Sequence, residues 1–324
     1  LELGNIKLKY RPYTEVSTYK LLLRTLWLYF SSGALSALFR LRRAPLLVAM
    51  YPVVILLGQI LFSFMLAKIV FGAIGGVLGL LLGGTLLFSM LILFRKWDKR
   101  FFAYYLLHDF AFWAQDRGKM PEVLAGRVNC FCDRICEALD SDSDEVLIVG
   151  HSSGANLAVV LAAEVLRRRP EAPKLAILTL AQSIPMISFL PDAWDLRRDL
   201  REVSMRGDIK WMDVSAPGDG ACFALADPVA VSGVAPLTKK YGPTVISAAF
   251  SHTLSAETQR KTRFKFFRRH IQYLCAFDAP VEYDYFKITA GPVNLKERFK
   301  YRASSASSKV TPYSPFISTG PDNG

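Results

Sequence analysis

Residues 144–158 read Asp-Glu-Val-Leu-Ile-Val-Gly-His-Ser-Ser-Gly-Ala-Asn-Leu-Ala, and this stretch decides the fold. Residues 145–149 form a short apolar run, expected as a buried strand. Gly150-His151-Ser152-Ser153-Gly154 follows, with a helix expected over 154–169, ended by Pro170. Strand, sharp turn and helix around G-x-S-x-G are the pattern of a nucleophile elbow. Such an elbow strains the backbone at Ser152. Gly150 and Gly154 are expected to be small because side chains there would strike the neighbouring strand and helix. Ala155 helps the same crossing. The helix start offers backbone N–H groups, and that of Ser153 is expected to face a developing oxyanion.

Working outward, helices are expected over 121–139 and 196–203. Strands are expected over 101–107, 174–180, 209–214 and 245–250. Strands alternating with helices imply a mostly parallel sheet with crossover helices, an α/β architecture.

The stretch at 144–158 and the following run Lys-Leu-Ala-Ile-Leu-Thr-Leu-Ala at 174–181 resemble the α/β-hydrolase superfamily, its lipase- and esterase-like members above all. The resemblance covers about residues 101–292. It implies a serine hydrolase whose triad runs Ser, then Asp or Glu, then His along the chain. Ser152 is then the nucleophile. The acid belongs in a loop after a strand, and the loop Ser215-Ala216-Pro217-Gly218-Asp219-Gly220 supplies Asp219, with Asp213 as its rival. A plain Gly-Asp-Gly turn is the bland alternative. Of four histidines, His151 lies inside the elbow and His108 precedes the serine. His270, opening His270-Ile271-Gln272-Tyr273, is preferred as base, and His252 stays open as the alternative. The second oxyanion donor is expected from a backbone N–H at His108 or Asp109, after the strand expected at 101–107.

The chain has 324 residues, 52% of them hydrophobic, and a net charge of +12. Disorder and a small disulfide scaffold are both excluded by that composition. From Leu46 to Phe94 the only charged residue is Lys68. A bilayer core takes roughly 20 apolar residues per helix, so two spans are expected, 46–66 and 69–94, with Lys68 at the turn. Gly75, Gly79 and Gly83 make two overlapping G-x-x-x-G steps that suit a tight hairpin or a homo-oligomer face. Arg40, Arg42 and Arg43 precede the hairpin, and Arg95, Lys96, Lys99 and Arg100 follow it. Positive flanks stay inside, which places the C-terminal part in the cytoplasm if the membrane is a bacterial inner membrane. The chain starts at Leu1 rather than Met, so an earlier natural start is expected.

The expected organisation is a segment 1–45, polar and extended over 1–14 with an amphipathic helix over 15–38; a transmembrane hairpin over 46–94; a catalytic domain over 95–302; and a disordered tail over 303–324. The five cysteines lack zinc-ligand spacing and are read as reduced thiols. No metal or organic cofactor is implied. Residues 260–269 interleave six cations with three Phe. That pattern suits anionic headgroups or nucleic acid, with lipid favoured by the hairpin and no nucleic acid expected; a solvated helix face over buried Phe is the plain alternative.

The sequence thus points to a membrane-anchored serine hydrolase acting on a carboxylic ester, a lipid or acyl ester included, with the bilayer as partner. Two rivals stand beside it. One is a non-catalytic binding or scaffold protein that kept the fold. The other is an assembly subunit whose hairpin does the work.

Overall fold

The computed structural model describes residues 15–320, so the expectation for 1–14 lies outside the described residues. Two compact units form, one from residues 15–28 and 49–115, the other from 29–48 and 116–320.

The first unit is helical; its first helix ends in the second unit, which holds the second helix and the first turns of the third. Helix α1 is Glu15–Ser31, and α2, Ala34–Leu41, begins after Gly33 at φ 74°. The single amphipathic helix expected over 15–38 is therefore broken, because a left-handed glycine cannot continue a helix. Helix α3 is Arg43–Ile74 and α4 is Gly76–Lys96. Both are long and apolar enough to cross a membrane. Four fifths or so of each apolar stretch faces outward, as a lipid-facing pair would.

The turn between them falls at Gly75 and Gly76, with φ of 70° and 55°, not at Lys68. Two adjacent residues in the left-handed region need glycine. Lys68 stays inside α3 with its side chain exposed. Gly75 accordingly belongs to the turn, while Gly79 and Gly83 form the close face. A Cβ on Gly83 would lie 2.8 Å from the Ala67 carbonyl oxygen, and one on Gly79 3.3 Å from that of Phe71. The close approach is thus made to the chain's own α3.

Residues 101–107, expected as a strand, are largely the start of helix α5, Ala103–Ala114. Both carboxylate oxygens of Asp98 accept from its first turn, from the N–H groups of Tyr104 at 3.0 Å and Tyr105 at 3.2 Å. That capping satisfies donors left over at a helix start. Ala103, Tyr104, Leu107 and Ala111 are buried at helical spacing, and the first three join Leu22, Val53 and Leu56 in this unit's core.

The second unit holds the sheet. Its strands are β1 Val146–His151, β2 Leu175–Leu180, β3 Lys210–Ser215 and β4 Thr244–Ser247, all parallel, in the order β1-β2-β3-β4. Helices α6 (Glu122–Leu139), α7 (Gly154–Arg168) and α8 (Trp194–Ser204) flank it. Every residue of β2 is buried, as a central parallel strand covered on both faces requires. Residues 245–250, expected as one strand, end as β4 at Ser247; a single helical turn, Phe250–Thr253, follows. Ala249, at φ 45°, breaks the extended backbone between them.

Residues 303–320, expected as a disordered tail, are bonded into this unit. Ser305 N–H donates to Val245 O at 2.8 Å, and Asp227 N–H to Lys309 O at 3.0 Å. Lys309 Nζ donates to Leu41 O at the end of α2, and the buried Arg197 donates through Nε to Ser318 O at 2.6 Å. Backbone pairing of this kind is indifferent to the Ser- and Pro-rich side chains that suggested disorder.

Candidate active site

The elbow is built by β1 and α7. Ser152 directly follows β1 and has φ 57°, the left-handed region that a non-glycine residue enters only under constraint. Its N–H donates to Leu180 O at 2.9 Å, which pins the turn to the end of β2. Gly150 explains how helix and strand come so close. A Cβ there would lie 2.6 Å from Gly154 O and 2.7 Å from the Ala158 Cβ. Gly154 is different: a Cβ there meets nothing within 4 Å, so the expected clash is absent. The reason is its place in the first turn of α7, pointing away from the crossing. Ala155 is fully buried at that crossing, and Ser153 is the N-cap of α7.

Asp219 and His270 come together. His270 Nδ1 is 2.8 Å from Asp219 Oδ2, and both side chains are buried. The other carboxylate oxygen, Oδ1, accepts from the Ala221 N–H at 2.9 Å. Burial alone would raise the Asp219 pKa. The hydrogen bond from His270, its charge, and the Ala221 N–H outweigh that and hold the carboxyl below its ordinary value. Asp219 is therefore a carboxylate at neutral pH and fixes the tautomer in which Nδ1 carries the proton. Nε2 of a neutral ring is then an acceptor.

His270 lies beside the elbow. Its ring centroid is 4.6 Å from that of His151, and its backbone carbonyl is 2.8 Å from His151 Nε2. Burial, and then the neighbouring His270, lower the His151 pKa and favour its neutral form. The two site segments also brace each other through Tyr273. Three residues after His270, its hydroxyl accepts from the Ala216 N–H at 2.8 Å, at the start of the Asp219 loop.

The rivals sit elsewhere. Asp213 is buried within β3, where Oδ1 accepts from Thr179 Oγ1 at 2.6 Å. Burial pushes its pKa up to about 8, and nearby Asp227 adds to the rise against the Thr179 hydrogen bond. His252 is exposed in the Phe250–Thr253 turn and has no carboxylate partner among the described residues. His108 and Asp109 lie inside α5, in the other unit. Interior helix N–H groups are spent on carbonyls four residues back, so the expected oxyanion donor there is withdrawn.

Arg42 is a site residue that sequence reasoning missed. Read as one of three positive flank charges, it is half-buried and grips the Asp219 loop. Its guanidinium donates to the backbone carbonyls of Pro217 at 2.7 Å, Asp219 at 3.1 Å and Cys222 at 3.1 Å. The only signal in the sequence is a charge next to an apolar run, which any snorkelling arginine would also give. Among the described residues, no three His, Cys, Asp or Glu side chains gather as a metal site. Compared with protein-family models, curated proteins and solved structures, the chain has no match.

Proposed function

We propose that this chain is a membrane-anchored serine hydrolase of the α/β-hydrolase type, cleaving a carboxylic ester, with a lipid or acyl ester as the substrate class. The observation that carries the reading is the buried Asp219–His270 pair packed beside His151, the residue before the strained Ser152. In this reading Ser152 Oγ attacks the acyl carbon and its proton passes to His270 Nε2. Asp219 holds the imidazole and stabilises the imidazolium. The same proton goes to the leaving alkoxide as the ester C–O bond breaks. Water, deprotonated by His270, then releases the acid and restores Ser152. The Ser153 N–H, at the positive end of α7, stabilises the oxyanion.

Helices α3 and α4 supply the anchor. Under the positive-inside rule, the basic residues on both flanks favour a cytoplasmic catalytic unit if the membrane is a bacterial inner membrane.

Fluorophosphonate labelling of membranes carrying the full chain tests this. Wild type is labelled, and Ser152→Ala is not. Asp219→Asn loses on the order of 10⁴ in rate and His270→Ala on the order of 10⁶, while His252→Ala retains it. A well-folded wild type that stays unlabelled sinks the proposal in favour of the scaffold reading.

A further inference from the structure

We propose that residues 256–271 form a docking surface for anionic phospholipid headgroups, set against the loop that carries Asp219. Helix α9 is Ala256–Thr262 and α10 is Phe266–Ile271. Arg260, Lys261, Arg263, Lys265, Arg268 and Arg269 give the segment six cations, and its one acid, Glu257, is paired with Lys261. Such a concentration of one sign attracts an anionic surface.

The aromatics decide which anionic surface. A solvated helix would bury its Phe side chains beneath it. Here Phe264 is 78% exposed, Phe266 57% and Phe267 52%. The Arg263 guanidinium lies 5.3 Å from the Phe264 ring centroid. Apolar rings left in water beside cations match a headgroup boundary, where rings enter the acyl region and cations meet phosphates.

The surface adjoins the site loop, and that loop in turn meets the first turns of α3. A Cβ on Gly220, next to Asp219, would lie 3.8 Å from Phe266 and 3.9 Å from Val48. Val48 is on α3, the helix whose following residues suit a membrane span. Arg269 reaches the same loop: its Nη2 would lie 2.8 Å from a Cβ on Gly218. Its Nε is buried without a hydrogen-bond partner among the described residues. Continuity with α3 favours lipid over a nucleic acid strand. The delivery of a bilayer substrate to Ser152 from this surface rests on the hydrolase reading; the docking itself does not.

The test is hydrogen exchange of residues 256–271 in the full chain, in nanodiscs of phosphatidylcholine with and without phosphatidylglycerol. Exchange is expected to slow in the anionic discs. Neutralising three exposed cations (Arg263→Gln, Lys265→Gln, Arg268→Gln) removes that protection, since each contributes roughly fivefold to surface affinity, about 100-fold together. Equal exchange in the two discs overturns the proposal. So does protection in neutral discs by added single-stranded RNA equal to that of the anionic lipid. Protection with an unlabelled Ser152 leaves the docking surface standing and removes the hydrolase; labelling without protection removes the surface alone.

Discussion

Arg42 donates a hydrogen bond to the main-chain carbonyl of Asp219 at 3.1 Å, so the residue just before α3 holds the Asp219 loop by its backbone. Two further carbonyls, of Pro217 and Cys222, share the same guanidinium. One planar fork thereby fixes three points of a loop that has no strand of its own.

Replacing Arg42 by Gln leaves those carbonyls to solvent and frees the loop. Hydrogen exchange over 216–223 should speed up. Fluorophosphonate labelling of Ser152 should slow by about 10²-fold, the scale of a 1 Å misplacement at a reacting site. Lysine restores one hydrogen bond and should recover only part of the rate. Unchanged exchange in Arg42→Gln would mean that the Ala216–Tyr273 contact suffices to hold the loop.

The two elbow glycines should behave oppositely. Gly150→Ala drives a Cβ into the Gly154 carbonyl and Ala158, separating β1 from α7. That is expected to cost several kcal/mol, at least as much as overpacking a core, and to abolish Ser152 labelling. Gly154→Ala enters open space at a helix position and should gain up to about 1 kcal/mol. Thermal melts of the detergent-solubilised chain read both changes. Equal destabilisation by the two would refute the account of the crossing.

Asp213 should make the second unit less stable as pH rises. Burial keeps it protonated until about 8, against an ordinary value of 3.8 in the unfolded chain. Between those values the folded chain binds the extra proton, so stability falls as pH climbs from about 4 to about 8. Asp199, raised to about 6 mainly by burial against its Arg167 partner, adds the same sign of slope between about 4 and 6. Asp213→Asn keeps an acceptor for Thr179 and removes its share. Its melting temperature should match wild type near pH 4 and exceed it at pH 8. A variant less stable than wild type at pH 8 would show that Asp213 is ionised in the fold.

Parts of the site were legible because they are local. The strand–turn–helix around Ser152 is written in adjacent residues, and period and glycine placement announce it. The pairing of Asp219 with His270 was legible only as chain order and loop position, with Asp213 and His252 left open. The run at 101–107 failed for a definite reason. A short apolar stretch has no period to separate strand from buried helix, and Asp98, which caps it as a helix, precedes it by several residues.

By itself the sequence determined the features set by local chemistry: a mostly parallel sheet with crossover helices, two charge-poor segments long enough to span a bilayer, and a serine in a constrained turn. The tertiary structure alone decided which distant groups meet: the Asp219–His270 pair, the turn at Gly75 and Gly76, the pinned segment 303–320 and the Arg42 clamp. Local patterns are encoded by backbone propensity and periodicity. Contacts between residues 51 or 177 positions apart depend on packing that no neighbouring residue records.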